Sequence, residues 1–171
     1  VARLRRLVNN LVTLSRMDEE RAVAVRERFS LSDAVYDTAM AFSAAAERAG
    51  KRLRVTAEAD VYLTGDEAAV RQLTSILADN AVKYGDAGGE ITVSLAGGRH
   101  PVLTVENDYA AVDSLPLSRL FDRFYRSDPA RTGDGGHGLG LAIARSIAEA
   151  HRASIRAEKA GEGRVRMRVR F

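Results

Sequence analysis

Apolar residues recur along the chain at two spacings, and the switches between them divide it into helices and strands. Val1, Leu4, Leu7, Val8, Leu11 and Leu14 fall three or four positions apart, with Arg3, Arg5, Arg6 and Arg16 off the stripe, which predicts an amphipathic helix through about Arg21. A pattern already under way at Val1 predicts the end of a longer bundle or dimerisation helix. Ala22 to Phe29 alternates weakly as a short strand. Ser30 then offers an N-cap, with Asp33 placed to complete the box, for a helix whose face Leu31, Val35, Thr38, Phe42, Ala45 and Ala49 runs to Gly50. Leu53, Val55 and Ala57 alternate with polar neighbours, Val61 to Thr64 is a further extended run, and Gly65-Asp66 opens a helix reaching Tyr84. After the turn Gly85 to Gly89, the strands around Ile91, Val93 and Leu95 and over Pro101 to Glu106 flank Gly97-Gly98, which predicts an antiparallel hairpin. A helix follows over Leu141 to Ala150. Last, Val165, Met167, Val169 and Phe171 alternate with Arg164, Arg166, Arg168 and Arg170. Strands that are apolar on one face only predict a two-layer α/β sandwich, with helices covering a single face of the sheet.

Composition narrows this picture. The chain has 171 residues, enough for one ordinary domain, and 46% of them are hydrophobic, which excludes a disordered tail. With 26 Lys and Arg against 23 Asp and Glu, the net charge of +3 does not point to nucleic acid. There is no cysteine, so disulfide scaffolds and thiolate metal or redox sites are excluded, and no apolar run approaches the ~20 residues of a membrane span. The start lacks both Met and a signal-peptide core, which predicts a part of a longer protein: a helix over 1–21 ahead of one domain over 22–171.

Four groups of residues have the makings of a site. On the helix ending at Tyr84, Asn80, Lys83 and Tyr84 fall within about 60° of Asn80 at roughly 100° per residue. An Asn oxygen suits a hydrated Mg²⁺ and a Lys suits phosphate, while an Asp79 to Lys83 surface pair accounts for the same residues without a ligand. Gly133-Asp-Gly-Gly-His-Gly-Leu-Gly-Leu precedes a helix, where backbone N–H groups and the helix dipole favour phosphate. No strand runs directly into these glycines and Leu139 stands where a P-loop needs Lys, so neither familiar nucleotide fingerprint applies. Asn107 and Asp108 close the Pro101 to Glu106 strand, where a loop-borne side chain can read a base edge or merely shape a turn. Leu120-Phe-Asp-Arg-Phe-Tyr-Arg sets Arg123 and Arg126 ahead of the glycine-rich segment, within reach of a terminal phosphate.

Together, Asp79-Asn-Ala-Val-Lys-Tyr, Asn107-Asp, Phe121-Asp-Arg-Phe-Tyr-Arg and Gly135-Gly-His-Gly-Leu-Gly-Leu-Ala-Ile-Ala-Arg resemble, in order, the catalytic ATP-binding domain of bacterial sensor histidine kinases, within the gyrase, Hsp90, histidine kinase and MutL superfamily. Leu11-Val-Thr-Leu-Ser-Arg-Met-Asp resembles the end of that family's dimerisation and phosphotransfer domain. The resemblance implies the Bergerat ATP-binding fold, a mixed sheet with helices on one face, and ATP and Mg²⁺ as cofactors. It implies that Asn80 ligates Mg²⁺, that Lys83 and Tyr84 line the nucleotide, and that Asn107 receives the adenine amino group. Arg123 and Arg126 belong to the phenylalanine box. Gly136, Gly138, Leu139, Gly140 and Leu141 form the end of an ATP lid, about 127–138, and the helix start behind it. Asn80, Lys83 and Arg123 would carry the phosphoryl-transfer chemistry.

Two departures stand out. Tyr109-Ala-Ala replaces the family's common Gly-Pro-Gly, removing positive-φ freedom and placing a ring near the pocket mouth, and Ile76 replaces a frequent second Asn. None of His100, His137 and His151 has the surroundings of a phosphoacceptor; they predict a turn, a lid position and an exposed helix end. The expectation is therefore a domain that presents the γ-phosphate of Mg·ATP to a His on another domain, for relay to a response regulator. The whole protein would be a membrane-anchored homodimer with this domain in the cytoplasm, and nucleic acid is not an expected partner. The alternative is a degenerate module of the same fold that acts through protein contacts.

Overall fold

The computed structural model describes residues 26–125 and 138–171 and, ahead of them, Val8 and Val12. The rest of the segment 1–25, Arg126, and 127–137 with Gly136 and His137 lie outside the described residues. Strand β1 (Glu27–Ser30) ends on the residue that caps α1 (Leu31–Met40), the Ser30 hydroxyl accepting from the Asp33 N–H at 3.1 Å. The single helix expected up to Ala49 is in fact two. At Phe42 the ladder tightens to an i−3 bond with Ala39, and the Ser43 hydroxyl donates to the Met40 carbonyl at 2.8 Å, so the chain turns before α2 (Ser43–Arg48). Strands β2 (Arg52–Ala57) and β3 (Tyr62–Gly65) lead to α3 (Glu67–Tyr84), whose N-cap Asp66 accepts from the Ala69 N–H at 3.0 Å. Then come β4 (Glu90–Ala96), β5 (Val102–Asp108), two 3₁₀ turns, α4 (Gly140–Ala150), β6 (Ser154–Lys159) and β7 (Arg164–Arg170).

The main sheet has the order β2-β4-β5-β7-β6, parallel between β2 and β4 and antiparallel elsewhere, while β1 and β3 pair as a separate ribbon. Ile91, Val93, Leu103, Val105, Met167 and Val169 are buried on one face against α1, α3 and α4, as the alternation predicts. The opposite face is polar. There Arg166 meets Glu106 at 2.6 Å and Glu158 at 3.8 Å, and Arg164 meets Asp108 at 3.1 Å, so half of the arginine stripe neutralises carboxylates of neighbouring strands.

Helices α3 and α4 pack antiparallel, joined at one end by His151. Its Nδ1–H donates to the Ile147 carbonyl at 2.8 Å and its Nε2 accepts the Asp66 N–H at 3.0 Å, which fixes the tautomer because a carbonyl only accepts. His151 is thus a half-buried bridge and not the exposed helix end expected of it. Gly65 makes room for the ring, since a Cβ there would lie 2.5 Å from His151 Cδ2. Gly65→Ala should therefore cost about 1–3 kcal/mol of stability by overpacking. The measurement is the denaturant midpoint at unchanged slope, and in a His151→Ala background the penalty should shrink, because the new methyl group then meets no ring.

Candidate functional site

The helical layer leaves a gap beside the C-terminal end of α3, and the gap is a cleft open to solvent. Its first wall is α3. Leu73, Leu77 and Ala81 face the core, which turns Asn80 and Tyr84 into the cleft. Among the described residues the Asn80 amide has no hydrogen-bond partner in the protein. The helix end is secured by the Lys51 ammonium, which donates to the Val82 carbonyl and sets a positive charge at the negative end of the helix dipole. Lys83 does not line the cleft; it is exposed and pairs with Asp79 at 2.5 Å, as a surface i,i+4 pair would.

The second wall is the sheet. Asn107 was expected on a loop, yet it lies within β5, opposite Val165 of β7 and only 5% exposed. It continues the apolar row Leu103 and Val105 as its one polar member, a placement that needs a hydrogen-bonding reason. Its Nδ2 donates to the Asp108 carbonyl at 3.1 Å, which fixes the sense of the amide and leaves Oδ1 as the acceptor for the cleft. Tyr109, Val165 and Met167 continue this wall, and Leu115 and Leu120 add apolar surface.

The Tyr109-Ala-Ala turn does not use the positive-φ freedom that glycines would give it. Among the described non-glycine residues only Asp60, Phe124 and Arg152 have positive φ, so Tyr109, Ala110 and Ala111 adopt ordinary conformations. Carboxylates hold the turn in place. Asp86 accepts the Ala110 N–H at 2.5 Å, Asp108 accepts the Glu90 N–H at 2.8 Å, and the Tyr109 N–H donates to the Gly163 carbonyl at 2.7 Å.

The third wall is formed where the chain departs after Tyr125 and returns at Gly138. The two ends are clasped, with the Phe124 N–H donating to the Gly138 carbonyl at 2.9 Å. Gly138 has φ +67°, and a Cβ there would lie 2.8 Å from the Phe124 carbonyl carbon. Tyr125, Gly138 and Leu141 line the cleft, Arg123 is exposed on the adjacent turn, and Leu139 is buried in the main core at the N-cap of α4. Gly140 begins α4 facing Ile76, the position of the missing second Asn. A second hollow, beside β6 and lined by Phe121, Arg145 and Ile155, gathers none of the predicted site residues. No motif or local spacing singles out Asp86, Val165 or Met167 for the site. Met167 and Val165 share a face with Asn107 only through the pairing of β5 with β7, which no local pattern encodes.

Residues 65–171 match the histidine kinase-, DNA gyrase B- and HSP90-like ATPase family. The chain belongs to this family. As an ATPase domain it is 33% identical over 156 residues to the sensor protein DltS of Streptococcus agalactiae, covering 91% of this chain and 40% of that protein. It is 36% identical over 175 residues to the sensor histidine kinase TrcS of Mycobacterium tuberculosis, covering 99% of this chain and 34% of that one. The chain thus spans a third to two-fifths of these relatives. The fold is that of the mycobacterial sensor histidine kinase MprB (TM-score 0.71, 22% identity, 86% of this chain and 97% of that one). It also matches full-length ShkA in complex with AMPPNP (TM-score 0.82, 20% identity, 98% of this chain and 35% of that one).

The two glycines at the re-entry of this ATPase domain should respond differently to substitution. Gly138→Ala combines a left-handed φ with a backbone clash, so thermal unfolding should show a loss of at least about 1–2 kcal/mol. Gly140→Ala meets only Ile76 Cγ2 at 3.5 Å and removes a helical glycine, so it should be neutral or raise stability by up to about 1 kcal/mol.

Proposed function

We propose that this chain is the ATP-binding catalytic domain of a sensor histidine kinase, and that it presents the γ-phosphoryl group of Mg·ATP to a phosphoacceptor His on another domain. The observation that carries the reading is the pair of amides facing one cleft from two walls: Asn107, buried with its acceptor open to the cleft, and Asn80, unpartnered among the described residues. The adenine amino group would donate to Asn107 Oδ1, with Tyr84 against the nucleotide. The triphosphate would run past Asn80 toward Gly138, Gly140 and Leu141, where the start of α4 favours negative charge.

As a lone ligand, Asn80 suits a hydrated divalent ion. No group of three or more His, Cys, Asp or Glu among the described residues could cage an ion, and a single neutral oxygen fits Mg²⁺, which keeps its waters and takes other ligands from phosphates. The ion, when bound, neutralises phosphate charge. The protein's share would be positioning: Asn107 orienting the base, Asn80 fixing the phosphate end, and Arg123, exposed on the adjacent turn, meeting the terminal phosphate, a role also proposed for Arg126, which lies outside the described residues. Lys83 would contribute by exchanging Asp79 for phosphate.

The nucleophile belongs to another domain. His151 has both ring nitrogens engaged in the helix bridge, and His100 Nδ1 lies 3.1 Å from the Phe171 carbonyl. The whole protein would be a membrane-anchored homodimer with this domain in the cytoplasm, supplying a response regulator through its own dimerisation and phosphotransfer domain. Among the described residues no helix is long and apolar enough to cross a membrane. A second reading, a degenerate module acting through protein contacts, is favoured by Tyr109, which stands in the cleft.

Titration with AMPPNP and Mg²⁺ separates the two. Saturable binding should weaken at least tenfold in Asn80→Ala, a loss of about 1.4 kcal/mol or more; absence of binding in the unaltered chain would leave the module. Incubated with labelled ATP, the isolated chain should acquire no acid-labile phosphate, and stable labelling would locate the nucleophile here after all.

A further inference from the structure

We propose that Tyr109 is a specificity-determining residue: its ring closes the base end of the cleft beside Asn107, so that the site takes a purine with an unsubstituted 6-amino group and excludes purines enlarged there. This rests on the reading that Asn107 receives the base. The placement follows from the strand. Leu103, Val105 and Asn107 are buried in alternation along β5, and Tyr109, two residues on, continues the same face and is 9% exposed. Asn107 pairs across the sheet with Val165, and Tyr109 packs on Val165 together with Val112, Leu115 and Leu117, a cluster separate from the main core. The ring therefore rests on the residue directly opposite the base acceptor.

It is also held there. The Tyr109 N–H donates to the Gly163 carbonyl at 2.7 Å and its own carbonyl accepts the Val112 N–H at 3.1 Å, so the backbone on both sides of the side chain is fixed. A ring set by two strands and a 3₁₀ turn does not swing aside at small cost, because the packing that anchors it would have to open. Any group attached to the amino nitrogen that Asn107 Oδ1 accepts from would project toward this wall. A pocket of fixed shape discriminates by what it cannot admit.

The experiment compares Mg·AMPPNP with its N6-benzyl derivative on the full chain, for the wild type, Tyr109→Phe, Tyr109→Val and Tyr109→Ala, with thermal unfolding as the check on folding. The wild type and Tyr109→Phe should prefer the unsubstituted nucleotide by more than about tenfold. Tyr109→Val and Tyr109→Ala should bring the two affinities to within about threefold, chiefly by gaining the benzyl derivative. Equal binding of both nucleotides by the wild type would overturn the assignment whether or not the smaller variants fold, and so would an unchanged preference in Tyr109→Val. If the wild type binds neither nucleotide while Tyr109→Ala binds AMPPNP, the ring is a plug and not a selector, which also overturns it. Failure of every form to bind AMPPNP would sink the kinase reading itself, a result distinct from the others.

Discussion

Burial of one face of the five-stranded sheet is the constraint from which the site follows. Leu103, Val105, Met167 and Val169 must be covered, and α3 and α4 cover them. Among the described residues, cover is incomplete beside the end of α3 at Tyr84 and the start of α4 at Gly140. The polar member of the buried row, Asn107, sits at that place. An amide under a closed helical layer would carry a desolvation cost of about 1–3 kcal/mol for any unpaired atom. Beside a cleft, one end of the amide is bound to the Asp108 carbonyl and the other is left for a ligand or water. The gap in the helix layer and the polar residue in the strand are thus two sides of one feature.

How far this was legible in the sequence depends on the range of the interaction concerned. The N-caps Ser30 and Asp66, the length of α3, the hairpin of β4 and β5 and the one-sided β7 rest on contacts within a few residues, and the local pattern carries them. The break between α1 and α2 hangs on a hydroxyl competing with the backbone at Ser43, which apolar periodicity does not register. The bridging role of His151 has no local signal, because its partner, Asp66, is 85 positions away. At the site, the helix pattern set Asn80 and Tyr84 on a common side, but Lys83, on the other side of Asn80 on the helical wheel, turned to Asp79. The insertion of β7 between β5 and β6, which brings Val165 and Met167 to Asn107, is a long-range pairing and left no local trace.

Tyr109-Ala-Ala shows how a turn can lose its glycines and keep its course. A glycine-rich turn reaches conformations that other residues reach only with strain. Here the turn avoids those conformations, and its amide groups go to fixed acceptors, Asp86 and the Gly163 carbonyl. Local freedom has been replaced by tertiary hydrogen bonds, and the cleft gains an aromatic wall.

The two ends of the cleft are consequently built on different principles. At the end proposed for the base, Asn107 and Val165 are buried and held by strand pairing and Tyr109 by its bond to the Gly163 carbonyl, so little conformational entropy would remain to be lost if a flat ring entered. At the phosphate end the groups are half-exposed: Asn80 stands on a helix flank, Lys83 is engaged with Asp79, and the clasp between Phe124 and Gly138 fixes only where the chain leaves and returns. On the proposed reading, a rigid base end and a more open phosphate end would divide the labour of a phosphoryl donor. The first would hold the nucleotide in register, and the second would leave the γ-phosphate accessible to a nucleophile arriving from outside the domain, which a closed, fully buried site would exclude.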